Sequence, residues 1–451
     1  MPSKTSVLTM DIRTTRLENG VVIATESLPN IRSASLGVYL DIGSRDEVPA
    51  TNGLAHLFEH MVFKGTPKHD ALQIVKCFEA TGGQINAYTS KEQTCFYAKV
   101  VDTEVNAGLS MLLEMVLESS FDPVELEKEK DVIIEEIKGG NDNPEDYIYD
   151  LFSRAYFDTH SLGYPIAGNE KTVKGLTREH LLDHQLKARR KLPLFVTAVG
   201  RVSHAEVVAI ARQAFGLAGG GVGKGSGRAA GTARSASPPS GLVERSSARR
   251  PGNVLRPRHL VEKRPVQQVT ALLGGPGYAW AHPNRYALLL LNTVLGDGMS
   301  SRLFQSVRES LGLVYTIYSS PEFLINAGVY AIGFATEPKD IGKAVQEINK
   351  QLALLKKDGL KKDELEFAKA NIRGGILLGL ESSNTRMANL SRQLMYGEKG
   401  ESIEKILQRL DQVTAADVKR AIKDVFRADR WASAAILPKK TKLSMGRLLD
   451  F

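Results

Sequence analysis

The sequence predicts an α+β protein of two homologous domains, each a largely antiparallel sheet covered by helices on one face, joined by a flexible linker. Three observations carry that expectation. Short alternating apolar–polar runs bounded by Gly and Pro recur among stretches of helical period. The first half of the chain repeats in its second half. Between them, residues 217–258 form a Gly-, Ser- and Arg-rich run of a composition that cannot build a core. The divisions are therefore 1–216, 217–258 and 259–451.

In chain order, M-P-S-K-T-S-V-L-T-M-D has no apolar signal core, and although Lys4 and its hydroxyl residues suit a transit peptide, Asp11 arrives early. The first strand is expected near residue 20: G-V-V-I-A-T-E and S-A-S-L-G-V-Y-L-D-I-G-S read as two strands broken at Pro29. Apolar residues at 54, 57, 58, 61, 62 and 63 then describe a mostly buried helix. D-A-L-Q-I-V-K-C-F-E-A is an amphipathic helix closed by Gly82 and Gly83. Q-I-N-A-Y-T-S and T-C-F-Y-A-K-V-V read as two strands of a meander, and 103–118 as a helix. Strong helix formers fill 123–138, and Gly139 with Gly140 is expected to end that helix. A helix and loop, a strand near 193–200 and a helix opened by the capping box Ser203–Glu206 complete the half.

Beyond the linker, V-T-A-L-L-G-G-P-G at 269–277 takes the place of the strand at 33–44. R-Y-A-L-L-L-L-N-T-V-L-G at 285–296 takes that of the buried helix, and D-E-L-E-F-A-K-A-N-I-R-G-G at 363–375 that of the acidic helix. In this register Ala368 stands for Glu129 and Gly375 for Glu136. A coil of about 40 residues spans roughly 35 Å, enough to join two domains without dictating their angle.

Composition excludes several classes. No run of 18 apolar residues exists, so no membrane span is expected. Two cysteines, Cys77 and Cys95, cannot build a disulfide framework, and a cytoplasmic setting fits best. The net charge of +8 resides in residues 221–264, with ten Lys or Arg against two Glu; the other 49 basic residues are matched by 49 acids. That stretch contains no aromatic residue for base stacking, so nucleic acid is not an expected partner.

The chemistry concentrates at H-L-F-E-H, His56 to His60. On a helix the two histidines lie one turn apart on one face, with Glu59 on the same side. Such a pair grips a tetrahedral metal, commonly zinc, and a neighbouring carboxylate takes a proton from metal-bound water. The order is H-x-x-E-H. His180 and His184 in H-L-L-D-H share the spacing, but they follow the N-cap Thr177, run into Lys187, Arg189, Arg190 and Lys191, and read as a solvated surface helix. A zinc protease needs three protein ligands and one open position. On the acidic helix, Glu129 and Glu136 share a face, while Glu135 points about 100° away from Glu136. A solvated acidic face explains Glu125 and Glu127 well, and explains Glu136, flanked by Ile133, Ile134 and Ile137, less well.

H-L-F-E-H-M-V-F-K-G-T, G-G-Q-I-N-A-Y-T-S at 82–90 and E-K-D-V-I-I-E-E-I resemble the pitrilysin (insulinase) family of zinc metallopeptidases. The half-size branch, with mitochondrial processing peptidase and its bacterial relatives, is the most similar, and the resemblance covers nearly the whole chain apart from the linker. It implies Zn2+ on His56, His60 and Glu136, with Glu59 as catalytic base and Glu129 as an acid behind the ligands. The strand near Asn86, Ala87 and Thr89 is implied to receive an extended peptide by β-addition. S-S-R-L-F-Q-S-V-R-E-S-L-G-L-V-Y at 300–315 resembles the family's Arg–Tyr segment, which implies that Arg308 and Tyr315 hold the substrate carbonyl and stabilise the oxyanion. Taken alone, those two read as a surface-helix residue and a strand residue.

The expected function is a zinc endopeptidase acting on peptides or unfolded segments in a closed chamber. The rival readings are a non-catalytic subunit of a processing-peptidase-like complex and a catalytic subunit dependent on an inactive partner. Half length relative to double-length family members implies a dimer, either a homodimer or a heterodimer with a related subunit. In it, Arg308 and Tyr315 of one chain would serve the metal of the other.

Overall fold

The computed structural model describes residues 11–190, 193–217, 258–397, 402–441 and 451. The run read as a linker lies outside the described residues except at its ends, Leu217 and Arg258. In the first half the alternating stretches become Asp11–Arg16 (β1), Val22–Ser27 (β2), Ser33–Leu40 (β3), Gln84–Thr89 (β4), Thr94–Val101 (β5) and Leu194–Gly200 (β6). They form one sheet in the order β1-β2-β6-β3-β5-β4, antiparallel except for the β2–β6 pair. β1 was not expected: D-I-R-T-T-R has no apolar face and stays largely exposed. It survives as an edge strand paired to β2 and stapled by His204, whose ring nitrogens bond Thr15 and Thr25, each at 2.8 Å.

The helices of this half are Leu54–Val62 (α1), Ala71–Glu79 (α2), Val105–Glu118 (α3), Pro123–Asp142 (α4), Pro144–Phe157 (α5), Glu170–Gly175 (α6), Arg178–Arg190 (α7) and His204–Ala214 (α8). Gly139 and Gly140 do not end α4, which runs through both. The break comes at Asn143, held at φ −88° and ψ 111°, because the residue before a proline is driven out of helical space. Asn143 then caps α5, accepting from the Glu145 N–H at 3.1 Å.

The second half contains His259–Arg264 (β7), Val269–Pro276 (β8), Thr316–Phe323 (β9), Gly328–Thr336 (β10) and Ala432–Pro438 (β11), ordered β7-β11-β8-β10-β9. Its helices are Arg285–Leu295 (α9), Ile341–Asp358 (α10), Lys362–Gly379 (α11), Ser383–Met395 (α12), Ile403–Gln412 (α13) and Ala415–Val425 (α14). Without β1, the first sheet has the same order, and the one parallel pair, β7–β11, recurs at the matching place. The repeat read from the residues is therefore a repeat of topology. Among the described residues no helix is long and apolar enough to cross a membrane.

Helices do not cover each sheet on one face only. α5 leaves the first half and lays Ile148, Leu151, Phe152 and Ala155 against Leu272, Ala434 and Ile436 of the second sheet. α12 does the converse, placing Met387, Leu390 and Met395 against Val22, Tyr39 and Phe195 of the first. A glycine in each central sheet admits the visitor. A Cβ on Gly37 would lie 3.1 Å from Met387 Sδ, and one on Gly274 would lie 2.6 Å from Phe152 Cζ. Ser35 bonds Ser383 at 2.8 Å, Thr197 bonds Ser391 at 3.0 Å, and Arg386 pairs with the buried Glu26. The angle between halves is thus set by packing and not left to the linker.

Phe152→Ala empties the space between α5 and the second sheet and should cost about 3–5 kcal/mol. Because α5 belongs to both halves, circular dichroism and the fluorescence of Trp280 and Trp431, both in the second half, should report one coincident urea transition. Two separated transitions would show that the halves fold independently.

Candidate metal centre

α1 is preceded by Gly53, whose φ of +99° and close approach to the Ala167 carbonyl, 2.7 Å from where a Cβ would lie, exclude a side chain. The carboxylate of Glu47 caps the helix, accepting from the Gly53 and Ala55 N–H groups at 2.8 and 2.7 Å and from the Asn52 amide at 2.8 Å. Burial pushes the Glu47 carboxyl up to about 7. Sequence reading missed this residue, though an acid just ahead of a helix N-terminus is a usable signal. Leu54, Leu57, Phe58, Met61 and Val62 bury one face of α1 in the core of the first half. The other face carries His56, Glu59 and His60 outward.

Those side chains meet α4. Glu136 Oε2 lies 3.9 Å from His56 Nε2 and 3.6 Å from His60 Nε2, and one donor atom from each of the three residues falls within 4.8 Å of the others. Ligands about 2.0–2.2 Å from a tetrahedral ion sit roughly 3.4 Å apart, so two imidazoles and a carboxylate in this arrangement suit zinc. Among the described residues no other trio of His, Cys, Asp or Glu meets the same condition. Glu135 turns away and pairs with Lys138 at 2.7 Å. Burial, with His60 alongside, lowers His56 to about 4, which keeps its imidazole neutral near pH 7.

Two carboxylates back this trio. Glu129, 8% exposed, lies 3.1 Å from His60 Nδ1 and receives Lys64 Nζ at 2.5 Å. As an acceptor at Nδ1 it selects the tautomer with its Nε2 lone pair toward Glu136. Glu59 Oε2 accepts from the Thr89 hydroxyl at 2.6 Å, and burial holds this carboxyl above its ordinary range. Lys64 was missed by sequence reading, because nothing in its spacing marks it as a partner of Glu129.

Thr89 ends β4, the outermost strand of the first sheet on the side of α1. Asn86 is exposed and Ala87 half-buried on the same strand, and among the described residues one edge of β4 is not paired by a strand. The Ala87 N–H is engaged by the Asn86 side chain at 2.8 Å. Arg308 and Tyr315 are not brought to this group by any hydrogen bond or ion pair. Arg308 lies over the Phe304 ring at 4.7 Å within a π-helical turn, and Tyr315, 48% exposed, donates to Glu337 at 3.1 Å.

His184 departs from the surface reading. It is 2% exposed and its ring lies 4.7 Å from that of Phe58, directly behind α1. Lys187 and Arg189 are exposed on the outer face of α7, while Leu181, Gln185 and Ala188 are buried with His184; the Arg190 side chain and Lys191 lie outside the described residues. His180 instead caps the start of α7, accepting from the Thr177 N–H at 3.0 Å.

The chain matches the family profile described as Insulinase (Peptidase family M16) over residues 22–170, and that described as Peptidase M16 inactive domain over 175–372. It belongs to the insulinase family, peptidase family M16. His56, Glu59, His60, Glu129 and Glu136 all fall in the first span, and Arg308 and Tyr315 in the second. Among family relatives, an uncharacterised zinc protease of Mycobacterium leprae (strain TN) is 37% identical over 96% of this chain and 94% of its own. The uncharacterised zinc protease YmxG of Bacillus subtilis (strain 168) is 36% identical over 93% and 97%. The crystal structure of a protease from Helicobacter pylori shares the fold, with a TM-score of 0.81 at 22% identity over 95% of this chain and all of that one.

Glu136→Gln should weaken zinc binding and Glu135→Gln leave it intact, as read by zinc titration against a chelator; the reverse would overturn the α4 register. Glu129→Gln should cost about 10–100-fold in zinc affinity. His184 is pushed down to about 4 by burial, so unfolding takes up a proton below pH 6.5. Its contribution is intact above about pH 6.5 and is lost as pH falls toward 4, by up to about 3 kcal/mol. His184→Leu should therefore flatten the fall in urea midpoint between pH 7 and 4.5.

Proposed function

We propose that this chain is a zinc-dependent endopeptidase that cleaves peptides or unfolded segments. The observation that carries the proposal is the convergence of His56, His60 and Glu136 donor atoms, with Glu59 beside them and a free strand edge adjoining. Zinc held by these three residues would supply Lewis acidity and a water with a pKa near 7. Glu59 acts as the general base: Thr89 occupies its Oε2, leaving Oε1 to receive a proton and return it to the leaving amine nitrogen. Glu129 holds the imidazole of His60 in its ligating tautomer. The β4 edge orients an extended substrate once the Asn86 side chain releases the Ala87 N–H.

Arg308 and Tyr315 engage local partners, which favours a dimer in which they reach the metal centre of a second chain and bind the substrate carbonyl there. A closed chamber between protomers would admit extended chains and exclude folded ones.

Glu59→Gln should retain zinc and lose turnover, since the amide keeps the shape and cannot take the proton. Mass spectrometry of products from a peptide library, with this variant as blank, tests the activity; equal product sets from both proteins would refute it. Mixing Glu59→Gln with Arg308→Ala/Tyr315→Phe and allowing subunit exchange should restore about a quarter of wild-type activity, since roughly half the dimers carry one intact site of two. No recovery with exchange confirmed by native mass would exclude the shared site.

A further inference from the structure

We infer that Glu92 is a positioning residue for the reaction, setting Glu59 through Thr89 from contacts supplied by the second half. The inference rests on the peptidase reading above. Glu92 sits in the turn between β4 and β5, three residues after Thr89, and is 4% exposed. Its carboxylate pairs with Arg45, which is equally buried. Two further donors come from across the molecule: the Ile325 N–H at 3.0 Å, in the β9–β10 turn, and the Tyr396 hydroxyl at 2.7 Å, just past α12. Arg45 in turn reaches Asn326 at 3.0 Å.

This buried carboxylate therefore ties one end of the substrate-strand hairpin to the second half. The turn itself has little freedom. Ser90 N–H donates to the Gln93 carbonyl at 2.8 Å, and the Ser44 and Arg45 N–H groups donate to the Ser90 and Lys91 carbonyls at 3.2 and 2.9 Å. Gly43 permits that approach, since a Cβ there would fall 2.4 Å from the Ser90 oxygen. The Thr89 hydroxyl emerges from this clamp and fixes Glu59 Oε2 at 2.6 Å. On α1 the Thr89 hydroxyl reaches the Glu59 carboxylate and, at 3.4 Å, the Ala55 carbonyl, so the clamp meets the helix at the base and at its backbone.

A merely structural Glu92 would alter stability alone. A positioning role moves kcat at constant zinc affinity. Glu92→Gln should lower kcat about tenfold with KM and zinc affinity little changed. Tyr396→Phe keeps the ring that stacks on Trp280 at 4.8 Å, removes one donor, and should lower kcat about threefold in a protein that folds as wild type. Thr89→Val should lower kcat by itself, and combining it with Tyr396→Phe should add no further loss, because both act on one path. In zinc-free protein, hydrogen exchange across residues 84–99 should rise in Tyr396→Phe and stay unchanged in β2 and β6. Wild-type kcat in the folded Tyr396→Phe protein, multiplicative losses with Thr89→Val, or unchanged exchange would each overturn the inference. If the zinc-loaded wild type cleaves nothing, the peptidase reading fails instead, and the exchange comparison still decides whether Glu92 restrains β4.

Discussion

The reciprocal exchange of α5 and α12 is the constraint on which the remaining architecture depends. Each sheet buries one face under its own helices and the other under a helix from the opposite half. A sheet with two apolar faces and helices enough for one cannot satisfy itself, so neither half is complete alone. The exchange also fixes distance and angle. Gly37 and Gly274 let the visiting helices approach to contact, and a buried ion pair, Glu26–Arg386, records the register of one crossing.

Among the described residues, a candidate metal-ligating trio occurs in only one of the two similar halves. Both contain a buried helix after the second repeated strand, and both contain a long helix, α4 and α11, at the matched place. In the first half, two helices present histidines and acids to a common point. In the second, Ala368 is fully buried and Gly375 carries no side chain, so the equivalent space offers no ligands. The second half has kept the topology and supplies contacts to the β4–β5 turn and to the first sheet. Its contribution to the proposed chemistry is positional, apart from the exposed Arg308 and Tyr315.

Electrostatics within the centre follow from its partial burial. His56 is 12% exposed and is kept neutral by desolvation, while Glu136 is 56% exposed. A ligand set open on one side leaves room for solvent or substrate, which suits a catalytic site better than a closed structural one. Glu129 and Lys64 pair behind His60.

Much of this was legible in the residues. Helical period placed His56, Glu59 and His60 on one face, and the two-turn interval placed Glu129 with Glu136, because those relations depend on backbone geometry within a single helix. The repeat and the strand alternation implied two like domains, since burial of one face imposes period two. What the sequence did not contain were relations between distant segments. It could not show that α5 and α12 cross over, that His184 lies buried behind Phe58 rather than on a solvated face, or that Asn143–Pro144 rather than Gly139–Gly140 ends α4. Glycines mid-helix and a basic helix face are locally ambiguous, and only packing decides them. Glu92 is the sharpest case. In the sequence it is one charged residue of a hairpin turn, and its three partners lie 47, 233 and 304 positions away, so only the tertiary structure makes it a bridge.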